Sequence, residues 1–267
     1  MVLFVFVRHG QTEYNAGGRY QGHVDSKLTK EGLQQALLVG QRLKQSKPMQ
    51  ALYSSDLGRC KSTADAIVKG AFGLKNLVDH EQAEKGFTFS QMLRERHFGH
   101  WQGLTKSMVK EKYSDEVKAD AGDWQHKMQG GGESRLDVLS RTMKILSQIC
   151  QKYKENDRVL IVTHGGVISF LLASILRGTD LPFQKSFKVP NTGMTLIQAT
   201  PLQANRAFKV VDALFALYMH ATRMYSTAAV ARLEVIVNNQ GIIQCKLVSA
   251  SSTPMRSRTV ATRGVKR

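Results

Sequence analysis

The sequence predicts an α/β fold in three layers, helix, sheet and helix, around a mostly parallel central sheet. Val2 to Val7 and Arg158 to Thr163 are near-continuous apolar runs rich in Val, Ile and Phe, as strands covered on both faces require. Around them, apolar residues recur at the helical period, so strands and helices alternate along the chain. The length of 267 residues, with 42% hydrophobic and 22% charged, provides for a sizeable core and excludes fibrous, collagen-like and wholly disordered classes. The expected organisation is one domain over residues 1–250, decorated by an added helix near 203–228, and a basic flexible tail over 251–267.

Each element follows from local chemistry. After the first strand, Thr29 caps a helix whose apolar positions Leu33, Ala36, Leu37, Gly40 and Leu43 lead to Ser46-Lys47-Pro48. Ala51-Leu52-Tyr53 is a second strand. Ser54-Ser55-Asp56 then supplies caps for a helix through Ala64, Ile67 and Val68 that closes at Gly70 and Gly73. Residues 75–133 are less regular, with a short helix around Leu104 to Lys112 and a break at Gly130-Gly131-Gly132. A long amphipathic helix runs from Glu133 to about Lys154, with Leu136, Leu139, Met143, Leu146 and Cys150 on one face. The strand at 158–163 meets His164-Gly165-Gly166 and passes into a helix from Val167 to Leu176. Ser186 to Thr200 reads as a further strand with a turn at Asn191-Thr192-Gly193. Residues 205–226 read as the added helix, and 232–248 as a hairpin turning at Asn239-Gln240-Gly241.

The formal net charge is +17. Residues 201–267 hold ten Lys or Arg against Asp212 and Glu234, so the excess is spread along the chain, with five cations in Ser251 to Arg267. No nucleic-acid recognition signature accompanies it, and no nucleic-acid partner is expected. Cys60, Cys150 and Cys245 form an odd set without CxxC spacing, which argues against a disulfide framework and for a reducing, cytoplasmic setting. The apolar start meets Arg8 too early for a secretory signal. Gly165 to Leu176 falls short of the roughly 20 residues that span a bilayer. No membrane span is expected, and a homodimer is left open.

Several phosphate and hydrolase motifs are missed. Gly17-x4-Gly22 has P-loop glycine spacing, but His23 stands where Lys is required. No cysteine has Arg six residues later, which excludes a thiolate phosphatase loop. Gly132-Glu133-Ser134-Arg135-Leu136 lacks the last glycine of a nucleophile elbow, and His80-Glu81-Gln82-Ala83-Glu84 lacks the second zincin histidine. Neither a metal nor another cofactor is expected.

Val7-Arg8-His9-Gly10-Gln11-Thr12-Glu13-Tyr14-Asn15 lies where the buried first strand ends. With Ser54-Ser55-Asp56-Leu57-Gly58-Arg59, Leu93-Arg94-Glu95-Arg96-His97-Phe98-Gly99, Gly131-Gly132-Glu133-Ser134 and Val162-Thr163-His164-Gly165-Gly166, it resembles the phosphoglycerate-mutase-like branch of the histidine phosphatase superfamily. The resemblance covers roughly residues 2–199. It implies a metal-independent phosphomonoesterase that acts on small phosphorylated metabolites, sugar phosphates or phosphoglycerates, through a phosphohistidine.

The residue chemistry agrees. The neutral imidazole of His9 can attack phosphorus and split hydrolysis into two easier steps. Arg8 and Arg59 are planar forks suited to phosphate, Asn15 adds an amide donor, and His164 heads a helix whose N-terminal amides favour anions. Glu95 matches the family's proton donor. The resemblance further assigns substrate contacts to Gln21, Gly22, Gly165 and, at a substrate-lysine position, Lys106. Bland alternatives remain: Arg59 could be a solvated helix-start residue and Glu95 could simply pair with Arg94 or Arg96. His23, His80, His97, His100, His126 and His220 read as surface or satisfied histidines, and Trp101 and Trp124 as packing residues. A phosphoglycerate mutase is the runner-up, since Glu95 to Gly99 and Gln102 to Lys106 resemble its substrate loop. Against it, Lys112 to Gly132 is short and lacks the adjacent Arg pair that grips a second phosphate. A non-catalytic phosphate-binding scaffold is the reading from a different class.

Overall fold

The computed structural model describes residues 2–78, 86–176, 187–201, 208–216, 229–237 and 243–252. Strand β1 (Val2–Arg8) pairs in parallel with β4 (Arg158–Thr163) on one side and antiparallel with β5 (Met194–Pro201) on the other. Beyond β4 lie β2 (Ala51–Ser55) and β3 (Thr88–Ser90), both parallel to their neighbours. Order β3-β2-β4-β1-β5 is thus a five-stranded, mostly parallel unit, as the alternating elements predict.

Pleat alternation explains the unbroken apolar run at the N-terminus. Phe4 and Phe6 join Ala51, Tyr53, Val159 and Ile161 in one core, while Val5 and Val7 join Leu52, Leu160 and Val162 in another on the opposite face. Helices α2 (Lys30–Lys44) and α3 (Gly58–Gly70) cover the second face through Ala36, Val39, Leu43, Cys60, Ala64 and Ile67. On the first face, Leu146 and Ile149 pack beside Leu171 and Leu172, from helices whose bounds are Arg135–Lys152 and Gly165–Leu176. Each fully buried Leu, Ile or Phe contributes about 1.5–3 kcal/mol.

Several expectations are corrected at element ends. Thr29 caps α2 as predicted, its hydroxyl accepting from Gly32 N–H at 3.0 Å, but the buried stripe uses Val39 and leaves Leu33 exposed. Ser54 and Ser55 belong to β2, and the N-cap of α3 is Leu57, which makes no side-chain cap bond. After a four-residue α1 (Glu13–Ala16) and α4 (Lys106–Lys112), an unforeseen α5 (Ser114–Gly122) appears. Its sequence has one large apolar residue, Val117, and so carries no stripe; it buries Glu116 and Asp120 instead. The Arg135–Lys152 and Gly165–Leu176 helices are α6 and α7. Ser134 opens α6 with a reciprocal capping box to Asp137.

The expected helix near 203–228 is contradicted by β6 (Phe208–Ala216), which runs antiparallel to β5. An open strand edge offers unpaired donors and acceptors, and the adjacent Val210 and Val211 favour extended backbone there over a helix. Residues 202–207 and 217–228 lie outside the described residues. Strands β7 (Ala229–Val237) and β8 (Ile243–Ser252) form the expected antiparallel hairpin and extend the sheet to eight strands; the turn at 239–241 is outside the described residues. Strand β8 enters the expected tail by two residues, and 253–267 lie outside the described residues. Cys60 and Cys150 are free and buried. Among the described residues no helix is long and apolar enough to cross a membrane.

Candidate active site

The register of β1 against β4 places Arg8 opposite Thr163, so the next residue of each strand, His9 and His164, leaves the sheet at the same carboxyl edge. Their rings meet edge to face with centroids 5.3 Å apart. His9 Nδ1 lies 2.8 Å from the Gly10 carbonyl, which can only accept; Nδ1 therefore carries the proton and Nε2 is the free base. Burial lowers the pKa of His9 well below the usual histidine value, and the positive charges of Arg59 and Arg8 lower it further. His164, fully buried behind His9, shares a 2.8 Å hydrogen bond between its Nε2 and Ser55 Oγ. Its pKa is likewise well lowered, by burial first and then by Arg59 and His9.

Arg59 projects from the first turn of α3 and is 1% exposed, which removes the solvated reading. Its Nη2 donates to the Gly22 carbonyl at 2.7 Å, and its Nη1 to the Val24 carbonyl at 3.2 Å and Asp25 Oδ1 at 3.0 Å. Arg8 Nη1 donates to the Val189 carbonyl at 2.6 Å. Burial lowers the Arg8 pKa, Glu95 opposes that, and Arg59 adds to it. The Nε of Arg8 and the Nε of Arg59 are both buried without a hydrogen-bond partner. An orphaned buried donor costs about 1–3 kcal/mol, and both guanidinium groups line the same cleft.

Amide donors converge on the same space. Asn15 Oδ1 accepts from Thr12 N–H at 3.2 Å and from Asn191 Nδ2 at 3.1 Å, which leaves the Asn15 Nδ2 as the group for an anion. Gln21 Oε1 accepts from Ser26 Oγ at 3.2 Å, so its amide nitrogen is similarly left. Gly22 sits at φ +57°, and a Cβ there would run into the Gln102 side chain.

Glu95 has neither of the ion pairs that its neighbours suggested. Arg94 is taken by Asp56, at 2.7 and 2.5 Å, and Arg96 by Asp120, at 2.7 Å. The Glu95 carboxyl is aimed instead by backbone: Oε1 accepts from Arg96 N–H at 2.9 Å and Oε2 from Gly166 N–H at 3.0 Å. Any side chain at Gly166 would collide with that carboxyl.

These groups enclose an open cleft of about 130 Å³ lined by Arg8, His9, Asn15, Arg19, Tyr20, Gln21, Gly22, Arg59, Glu95 and Phe98. With guanidinium, imidazole and amide groups against one carboxylate, its donor set suits an anion. Three expected site residues do not line it, and one of them is His164, which is fully buried. Lys106 is exposed at the first turn of α4, and Gly165 packs against Arg8, where a Cβ would stand 3.1 Å from Nε. Arg19, Tyr20 and Phe98 were missed as lining residues, although Arg19 and Tyr20 directly precede the Gln21-Gly22 pair. Tyr20 packs edge-on to Phe98 at 5.2 Å and tilts against Trp101 at 5.2 Å, which makes one wall aromatic. Of the histidines set aside, His23 and His97 are satisfied beside Glu95, and His80 and His220 lie outside the described residues.

The metal-independent phosphoserine phosphatase of Arabidopsis thaliana is 38% identical over 178 residues, 66% of this chain and 69% of that one. The glucosyl-3-phosphoglycerate phosphatase of Mycobacterium tuberculosis is 35% identical over 183 residues, 65% of this chain and 74% of that one. A solved structure of mycobacterial glucosyl-3-phosphoglycerate phosphatase with VO3 superposes with a TM-score of 0.61 at 28% identity, covering 78% of this chain and 96% of that one. Residues 4–207 match the profile of the Histidine phosphatase superfamily (branch 1), and with that span the chain belongs to this superfamily.

Proposed function

We propose that this chain hydrolyses phosphomonoesters of small metabolites through a phosphohistidine on His9, without a metal. The observation that carries the reading is that His9, with its free Nε2, lines one cleft together with the guanidinium groups of Arg8 and Arg59. Nε2 attacks phosphorus, the bond to the leaving oxygen breaks, and the Glu95 carboxyl gives its proton to that oxygen. The arginines and Asn15 meet the charge on the transferring phosphoryl group, which is the work a divalent cation would otherwise do, while His164 backs the His9 ring. Water then attacks the phosphohistidine, the Glu95 carboxylate takes the water's proton, and inorganic phosphate leaves.

The named relatives support hydrolysis of phosphoserine-type or phosphoglycerate-type esters. Transfer to a second hydroxyl, as in a mutase, has less support. Lys106 stands outside the cleft, and the nearby Arg96 and Arg135 are both committed to Asp120. Beside the phosphate groups, Arg19 and the Tyr20–Phe98 wall suit a leaving alcohol that itself carries an anionic group.

The test is turnover of p-nitrophenyl phosphate with EDTA present, followed by phosphoserine, fructose 2,6-bisphosphate, and 3-phosphoglycerate with and without 2,3-bisphosphoglycerate. Phosphate release that EDTA leaves intact is expected, with hydrolysis of 3-phosphoglycerate exceeding its isomerisation. Abolition by EDTA, isomerisation as the main outcome, or phosphate binding without turnover would each overturn the reading.

A further inference from the structure

Arg141 projects from α6, outside the set of cleft residues, yet all five of its N–H donors are engaged. Nη1 donates to the carbonyls of Met92, at 2.9 Å, and Arg94, at 2.6 Å. Nη2 donates to the Glu95 carbonyl at 2.9 Å and to Glu133 Oε2 at 3.0 Å, and Nε to Glu133 Oε1 at 2.8 Å. Three carbonyls from the four residues that end at Glu95 therefore converge on one planar group. Glu133 locks the pair from below: its Oε2 accepts from His97 N–H at 2.9 Å, its own N–H donates to the His97 carbonyl at 2.9 Å, and its carbonyl accepts from Arg96 Nε at 2.7 Å. Burial pushes the Glu133 carboxyl up, but the hydrogen bonds and charge of Arg141 outweigh that and leave its pKa lowered.

None of these bonds involves a side chain that lines the cleft, and a loop could be tethered with far fewer. Their common product is the placement of the Glu95 backbone, from which the carboxyl reaches Gly166. We propose that Arg141, oriented by Glu133, is a positioning residue for proton transfer, holding the 92–97 loop so that the Glu95 carboxyl meets the leaving oxygen. It rests on the assignment of Glu95 as the proton donor. A side chain that fixes a catalytic group matters through distance, because misplacement by about 1 Å can cost on the order of 10²-fold.

The experiment compares Arg141→Met, Glu95→Gln and the double variant on two esters. One is an alkyl phosphate that the enzyme turns over; the other is p-nitrophenyl phosphate, whose leaving group scarcely needs a proton. Arg141→Met should lower kcat on the alkyl ester by roughly 10–100-fold, a share of the 10²–10⁴ that general acid catalysis supplies. On the aryl ester the loss should be only a few-fold, with KM for both little changed. The double variant should lose no more on the alkyl ester than Glu95→Gln alone. Arg141→Lys, which keeps the charge and part of the carbonyl bonding, should fall between, and it carries the same comparison where Arg141→Met does not fold. Equal losses on both esters, or losses that multiply in the double variant, would overturn the proposal alone. Equal losses on both esters in Glu95→Gln would overturn the assignment of Glu95 as acid, and the positioning role with it.

Discussion

The nucleophilic role proposed for His9 rests on two contacts, one geometric and one electrostatic. The Gly10 carbonyl fixes the tautomer, and burial beside Arg59 and Arg8 keeps the ring neutral where an exposed histidine would begin to protonate. The same holds for His164, for which burial and Arg59 act in the same direction. Both groups have folded pKa values below the unfolded value near 6.5, so acid favours the unfolded chain, which binds the extra protons. Stability is accordingly full above about pH 6.5 and falls as pH drops from there toward the lowered folded values. Thermal melts at pH 7.5 and pH 5 should show a lower Tm at the acid end. His9→Asn, with one buried base fewer, should lose less over that interval; an equal or larger loss would mean that other groups govern the acid limb.

At the level of elements, α3 shows how a distant residue completes a site. Leu57 gives that helix no side-chain cap, and Asp25 supplies it from the loop before α2: both carboxylate oxygens lie 3.3 Å from Arg59 N–H. Oδ1 also holds Arg59 Nη1, so one carboxylate caps the helix and aims an arginine that lines the cleft. Asp25→Ala should therefore lower stability by about 1 kcal/mol, the usual value of a lost cap, and raise KM for a phosphomonoester several-fold, while Asp25→Asn recovers most of both. Denaturant midpoints and Michaelis constants check this, and an unchanged KM in Asp25→Ala would separate the cap from the site. Asp25 was not legible as a cap because it is 34 residues from Arg59, whose N–H it accepts from. The local Ser54-Ser55-Asp56 triplet looked sufficient, yet Asp56 is spent on Arg94. Helix α5 escaped for a different reason, since its buried face is made of Glu116 and Asp120, which bind Trp101, Arg96 and Arg135, and no periodicity of apolar residues marks such a face.

Across the whole molecule, the legible part is the part that the sheet dictates. Val2 to Val7 ends at Arg8-His9 and Arg158 to Thr163 ends at His164, and parallel pairing of those two strands brings the histidines together; Glu95 was legible by resemblance alone. The strand at 208–216 was not legible, because apolar spacing there fits a helix until pairing with β5 decides otherwise. Arg19, Tyr20 and Phe98 enter the site through the fold of two loops onto Trp101, a contact that neither loop encodes alone. Everything proposed about catalysis passes through one covalent intermediate. The most direct measurement is to mix the enzyme with a phosphomonoester labelled at phosphorus, quench in alkali, and follow label on the protein. A phosphoenzyme stable to base, labile to acid and absent from His9→Ala is predicted. Label that persists in His9→Ala, or phosphate released from the native enzyme with none ever trapped on His9, would contradict it.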